Sequence, residues 1–93
     1  MYNVLLHPLA AKFLEAADKE IAARIKNKLA DLAEFPEQRG KHLRYTTFWS
    51  LRIGDYRAIY EVKKNEQKVI VLFISHRKDV HYNLLMLLLD RLH

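Results

Sequence analysis

The stretch WSLRIGDYRAIYEV, residues 49–62, decides the fold. Its first part alternates Trp49, Leu51 and Ile53 with other residues, which is the period of a strand with one buried face. Gly54-Asp55 predicts a tight turn, and after it every second residue from Tyr56 to Val62 again lies on one face. The stretch therefore predicts two strands joined by a turn.

The flanking segments extend this pair into a small α+β domain. Val69 to Ile74 is apolar on both faces, which predicts a strand inside the sheet that is covered on both sides. Proline suits a first helical position, so Pro8 predicts the start of a helix, and Asp18 is a plausible cap for a second one. Phe35-Pro36 should end that helix. The predicted order is β-α-α-β-β-β-α, a mainly antiparallel sheet with an N-terminal helical pair and a C-terminal helix, and the elements span residues 2–6, 8–17, 18–34, 45–53, 56–62, 69–74 and 80–92.

Composition limits the class of protein. A chain of 93 residues with 51% hydrophobic and 29% charged residues predicts a single domain over residues 1–93. Cysteine is absent, which excludes disulfides and thiolate metal sites and suits a reducing cytoplasm. No export signal is recognisable and no apolar run approaches the roughly 20 residues that span a bilayer. We therefore expect a cytoplasmic protein without a membrane role.

The net positive charge of the chain comes from its second part. Residues 1–40 hold six basic and six acidic residues, so the whole net charge of +5 belongs to residues 41–93. Such a distribution predicts a scaffold that presents one basic surface, which would bind a polyanion or an acidic protein. A solvated basic face without a role is the alternative.

The common catalytic motifs are missing from the sequence, including phosphate loops, nucleophile elbows and paired-histidine metal helices. The basic region instead offers cationic and ring side chains on neighbouring strands. Cleavage of RNA without a metal needs a base for the 2′-OH proton, cations for the phosphorane and an acid for the leaving oxygen. The residues that could supply these groups or contact RNA are Arg52, Arg57, Arg77, Lys78, His76, His81, Tyr82, Lys41 and Arg44.

The C-terminal helix is apolar all round over residues 84–89, which is more than one packing face needs. A domain of this size has little core to wrap around such a helix, so we expect a partner to cover it. Burial on several sides within the domain is the alternative. The candidate contacts are Leu84, Leu85 and Leu88.

Two runs resemble a known family. Residues 49–62 and the run VLFISHRKDV at 71–80 are similar to the RelE/ParE toxin superfamily, and especially to its RelE-like mRNA interferases. The resemblance covers essentially the whole chain and implies the α+β fold described above. It also implies the toxin of a type II toxin–antitoxin system that cleaves mRNA in the ribosomal A site without a metal or other cofactor.

The resemblance assigns roles by position. Arg57 looks like the arginine of the family's "YR" motif, which contacts the phosphate, and Arg77 resembles the arginine after the last strand that is most central to activity. Arg52 resembles an accessory basic residue. The sequence departs from the family pattern at two positions. Ser50 stands where many relatives carry a lysine or arginine, and His81, followed by Tyr82, stands where a tyrosine is common. Three residues therefore remain candidates for the general base: His81, Tyr82 and Lys41.

The leading hypothesis is a ribosome-dependent endoribonuclease whose partners are a cognate antitoxin and the ribosome with bound mRNA. The resemblance leaves two alternatives. The first is a ParE-type toxin that inhibits DNA gyrase without cutting RNA, and the second is a basic module with no toxicity.

Overall fold

The computed structural model describes residues 1–91 and has the predicted α+β architecture. One five-stranded sheet has the strand order β1-β5-β4-β3-β2, in which β1 is parallel to β5 and the other neighbours are antiparallel. The elements are β1 (Asn3–Leu6), α1 (Pro8–Ala16), α2 (Lys19–Ala30), α3 (Pro36–Arg39), β2 (Lys41–His42), β3 (Phe48–Ile53), β4 (Tyr56–Lys63), β5 (Lys68–His76) and α4 (Val80–Arg91).

Helices α1 and α2 cover one face of the sheet, which we name the α1–α2 face. Pro8 begins α1 as predicted, and the residue before it caps the helix, because His7 Nδ1 accepts a hydrogen bond from Leu9 N at 3.1 Å. Asp18 precedes α2, but its side chain makes no capping bond. The core between helices and sheet contains Ala10, Leu14, Ala22, Ile25, Leu29, Leu32, Leu51, Ile53, Ala58, Tyr60, Val69, Val71 and Ile74.

The other face, which we name the α4 face, is covered in part by the start of the C-terminal helix. Val80 is buried there, and Leu84 and Leu87 are half-buried against the same cluster. The spacing of these three residues puts them on one side of the helix. The sheet side of the cluster consists of Phe48, Ile59, Leu72 and Phe73.

Strand β5 lies between β1 and β4 and is buried on both faces, which confirms the prediction from its apolar sequence. An irregularity interrupts its pairing with β4, because Ile59 is opposite Phe73 while Tyr60 is opposite Val71. The extra residue, Leu72, shifts the alternation by one position. Ser75 is consequently turned to the α4 face, together with Phe73 rather than with Val71.

The segment between α2 and β3 differs from the prediction. Helix α2 ends at Ala30 instead of Glu34, and a 3-10 turn over Asp31–Ala33 follows. Phe35 then adopts left-handed backbone angles, with φ of 53°, and Pro36 starts the one-turn helix α3, which was not predicted. A tertiary contact holds this segment, since the Tyr60 hydroxyl donates to the Pro36 carbonyl oxygen at 2.7 Å.

Strands β2, β3 and β5 also differ from the prediction. The two-residue strand β2 was predicted as loop, and β3 begins at Phe48 rather than at Tyr45. Tyr45 has φ of 61° and is 98% exposed, so it belongs to a turn. Strand β5 runs on to His76, two residues beyond its predicted end. The predicted end of the last helix, Leu92, lies outside the described residues. None of the helices in the described part of the chain has both the length and the apolar character needed to cross a membrane.

Candidate functional site

Two arginines form a cross-strand pair at the turn between β3 and β4. Arg52 and Arg57 are directly opposite each other, on the α4 face, and Gly54 allows the turn because its φ of 59° suits glycine. Arg52 is exposed and its Nε donates to the Gly54 carbonyl oxygen at 3.4 Å, whereas Arg57 is half-buried. The alternation in the sequence thus places both guanidinium groups on one surface.

Ser50 orients the guanidinium of Arg57. Nη1 of Arg57 donates a hydrogen bond to Ser50 Oγ at 3.1 Å, and Ser50 is only 4% exposed. A guanidinium has five N–H donors, so one bond to a serine leaves the group able to bind an anion at the same time.

Arg77 comes to the same end of the sheet by a backbone contact. Its amide N donates to the Asp55 carbonyl oxygen at 2.8 Å, which fixes the segment after β5 against the β3–β4 turn. Arg77 and Lys78 begin a 3-10 turn that leads into α4, and both side chains are exposed. Three arginines on separate segments therefore gather around one turn, and among the side chains of residues 1–89 no carboxylate forms an ion pair with any of them.

The candidates for proton transfer stand on the first turn of α4. His81 and Tyr82 are both exposed there. The third candidate, Lys41, lies on β2 directly opposite Ser50, which places it on the α4 face as well. Arg44 is exposed in the loop between β2 and β3.

His76 does not join this group. It is the cross-strand partner of Tyr56 and contacts that ring edge to face, with 5.7 Å between the ring centres. Tyr56 packs against the core of the α1–α2 face, so His76 lies on the side of the sheet away from Arg57. Its Nδ1 instead accepts a bond from Lys78 N at 3.4 Å, at the start of the 3-10 turn. The prediction grouped His76 with the arginines because it is a ring side chain next to Arg77 in the sequence, and it assigned no face of the sheet to it.

The residues predicted to contact a partner divide into two kinds. Leu84 is half-buried against the cluster on the α4 face, so only part of its side chain is accessible, and its contact with a partner stays a prediction. Leu85 and Leu88 are exposed, with 53% and 37% of their surface accessible, and Met86 and Leu89 extend the same apolar surface. We name Leu85, Met86, Leu88 and Leu89 the α4 apolar surface.

Two polar residues at the site were missed in the sequence. Ser75 is the strand partner of Arg57, and its Oγ accepts a hydrogen bond from Asn83 Nδ2 at 2.7 Å. The signal for Asn83 was its spacing, because a polar residue at i+3 from Val80 falls on the helix side that faces the sheet. No pattern in the sequence marked Ser75, since its orientation depends on the extra residue in β5.

The groups with shifted pKa values lie elsewhere in the structure. Burial raises the pKa of Tyr60, on the α1–α2 face, to about 12. The hydrogen bond and charge of Glu37 raise the pKa of Lys64, at the far end of β4, and the two side chains are 2.9 Å apart. In the described part of the chain, no three His, Asp or Glu side chains are grouped to hold a metal ion.

The mixed five-stranded sheet with its helices is the fold of the RelE/ParE superfamily toxins. Residues 4–81 match the family described as "ParE toxin of type II toxin-antitoxin system, parDE". The chain belongs to this family and is the toxin of a type II toxin–antitoxin system. No curated protein matches the chain significantly.

Solved structures agree with this assignment. The chain is 29% identical to a chain of the toxin–antitoxin complex RelBE2 from Mycobacterium tuberculosis, with a TM-score of 0.76 over 82% of this chain and 98% of that one. It is 26% identical to a chain of the RelE–RelB complex from Pyrococcus horikoshii, with a TM-score of 0.71 over 82% and 94%. The chromosomal ParDE system of P. aeruginosa is similar in fold, at 16% identity and a TM-score of 0.71 over 82% and 96%.

Proposed function

We propose that the protein is an endoribonuclease that cleaves mRNA in the ribosomal A site, without a metal, and so arrests translation. The observation that carries this proposal is the grouping of Arg52, Arg57 and Arg77 around one turn, with no carboxylate partner among the side chains described for residues 1–89. A phosphate in the cleavage transition state carries more negative charge than the bound substrate, and fixed cations stabilise that extra charge.

The reaction would follow the chemistry of RNA transesterification. The 2′-oxygen attacks the adjacent phosphorus and forms a new O–P bond, while the bond from phosphorus to the 5′-oxygen breaks. A base takes the 2′-OH proton and an acid returns a proton to the 5′-oxygen. In this proposal Arg57 and Arg77 bind the phosphate oxygens, and His81, Tyr82 and Lys41 are the groups available for proton transfer.

The ribosome has a place in this proposal because the side chains of His81 and Tyr82 are exposed, so each can adopt several orientations on the helix that carries it. A site with loosely held proton-transfer groups is a poor nuclease for free RNA. Binding in the A site would supply the alignment of the 2′-oxygen with the scissile bond, and alignment alone can contribute several orders of magnitude to a rate. The relatives of higher identity, in which RelE-type chains occur with RelB, favour the same activity.

Inhibition of DNA gyrase is the second candidate function. The match to the ParE family favours it, and so does Ser50 at a position where RelE-like enzymes often carry a cation. One experiment separates the two functions: purified toxin is added to ribosomes programmed with mRNA, to the same mRNA without ribosomes, and to gyrase with relaxed plasmid. We expect new 5′ ends by primer extension with ribosomes and little cutting of free RNA. Blocked supercoiling with intact mRNA would establish the gyrase function instead.

We further propose that this single domain, residues 1–93, is neutralised by a cognate antitoxin that lies on the α4 apolar surface. Relatives of the chain occur in complexes with RelB antitoxins. An acidic, largely disordered segment would suit the observed surface, because apolar side chains could cover Leu85 and Leu88 while carboxylates meet the three arginines.

A further inference from the structure

The first turns of α4 rest on the sheet through one polar and three apolar side chains. Val80, Leu84 and Leu87 pack into the cluster of the α4 face, and Asn83 is the polar residue on the same side of the helix. Its Nδ2 donates to Ser75 Oγ at 2.7 Å, in a partly buried contact. The helix is therefore attached to strand β5 by a directional bond as well as by apolar packing.

The acceptor of this bond has a specific position in the sheet. Ser75 is 3% exposed and stands directly opposite Arg57 on β4. Its own hydroxyl proton is directed to the His76 carbonyl oxygen at 3.1 Å, so its lone pairs are free to receive Asn83. The bond from α4 thus ends at the strand position that is paired with Arg57.

His81 and Tyr82 precede Asn83 in the same helical turn. Apolar packing has little directional preference and permits a helix to rotate or slide by a fraction of a turn, whereas a short hydrogen bond restricts both movements. Fixing Asn83 against Ser75 consequently fixes, relative to Arg57, the part of the α4 backbone that carries these two side chains.

We infer that Asn83 is a positioning residue: by bonding Ser75, it sets the distance between the proton-transfer candidates on α4 and the phosphate-binding Arg57. This inference rests on the proposed RNA cleavage. Asn83 itself touches neither the substrate nor the reacting atoms in this scheme.

The test compares Asn83→Ala with Asn27→Ala, a matched control at an exposed asparagine on α2. Both changes gain the helix propensity of alanine, but only the first removes a bond to the sheet. We expect kcat for ribosome-bound mRNA to fall about tenfold to a hundredfold in Asn83→Ala, because small misplacements of reacting groups have effects of that size. KM should stay within about twofold, since the arginines that bind the phosphate are untouched.

Ser75→Ala provides a second, independent variant. It removes the acceptor of the same bond, so it should reproduce the fall in kcat, and the double variant should lose no more than either single variant. Losses that multiply in the double variant, or a rise in KM without a fall in kcat, would contradict the positioning role.

Amide hydrogen exchange provides a measurement that does not depend on cleavage. Exchange in the first turns of α4 should rise in Asn83→Ala and stay at the wild-type rate in α1 and α2. Wild-type protein that leaves ribosome-bound mRNA intact would overturn the proposed function. Wild-type protein that cuts this mRNA, with Asn83→Ala equally fast or with unchanged exchange in α4, would overturn the positioning role alone.

Discussion

Ser50 and Arg57, on the neighbouring strands β3 and β4, are joined by a hydrogen bond of 3.1 Å from the guanidinium to the serine hydroxyl. A short polar side chain at position 50 thus has a structural task in this chain: it directs the arginine that would bind the phosphate. A serine at this position adds no charge of its own but accepts a hydrogen bond from the cation beside it.

The first prediction concerns this pair. Ser50→Ala should lower kcat for ribosome-bound mRNA several-fold, because Arg57 would then adopt its phosphate-binding orientation only part of the time. The free energy of unfolding should fall by about 1 kcal/mol, which is the net value of one such hydrogen bond. Single-turnover cleavage and urea denaturation measure the two effects. A variant that is less stable but cuts at the wild-type rate would show that the serine serves only the fold.

The second prediction concerns the arginines themselves. Arg77→Ala should abolish growth arrest on expression and Arg57→Ala should weaken it, because a cation that contacts the transition state typically contributes two to three orders of magnitude in rate. Lys26→Ala, on the exposed side of α2, makes the same change in net charge and should remain toxic. Circular dichroism checks that each variant folds. Full toxicity of a folded Arg77→Ala protein would exclude the nuclease mechanism.

Much of the fold follows from local patterns. The period-2 stretch at residues 49–62 predicts β3, β4 and the turn between them, and with that turn it places Arg52 and Arg57 on one surface. The doubly apolar β5 is predicted to lie inside the sheet, and it does. These features depend on neighbouring residues alone, and so the sequence contains them.

The features that the sequence did not predict depend on contacts between distant residues. The short helix α3 begins where the Tyr60 hydroxyl meets the Pro36 carbonyl oxygen, across 24 positions of the chain, and β2 forms by pairing with β3. The orientation of Ser75 depends on one extra residue in β5, which strict alternation cannot anticipate. His76 was grouped with the arginines as a ring side chain of the same basic region, and the pairing of β4 with β5 places it on the other face.

The third prediction concerns the antitoxin. Replacing Leu85 and Leu88 together by serine should weaken binding of the cognate antitoxin by about two orders of magnitude, since each buried leucine contributes roughly 1.5–3 kcal/mol and part of its surface is already covered. Calorimetry at two salt concentrations separates the electrostatic from the apolar contribution to the binding free energy. Salt should weaken the attraction of acidic side chains to the arginines, but it should not weaken the apolar contact.

A matched control for this experiment is Leu5→Ser, at an exposed leucine on the edge strand β1. This variant should bind the antitoxin as tightly as the wild type. Unchanged affinity in the folded Leu85 and Leu88 double variant would mean that the antitoxin binds elsewhere, and that the α4 apolar surface has another occupant.

The last prediction concerns the stability of the protein at high pH. Tyr60 is fully buried, and its pKa is raised from 10.0 to about 12, mainly because burial disfavours the phenolate. The unfolded chain releases this proton near pH 10 and the folded chain only near pH 12, so the folded state binds more protons between these values.

The contribution of Tyr60 to the free energy of unfolding is accordingly complete below pH 10 and is lost as the pH rises towards 12, by roughly 2–3 kcal/mol in total. Tyr60→Phe serves as the reference because it removes the phenol and leaves all other charged side chains in place. The difference in unfolding free energy between wild type and Tyr60→Phe, measured by urea denaturation, should be constant up to pH 10 and then change in favour of the phenylalanine variant. A difference that stays constant to pH 12 would mean that the phenolate is accommodated in the fold, and that the Tyr60–Pro36 hydrogen bond is not what holds the segment between α2 and β3.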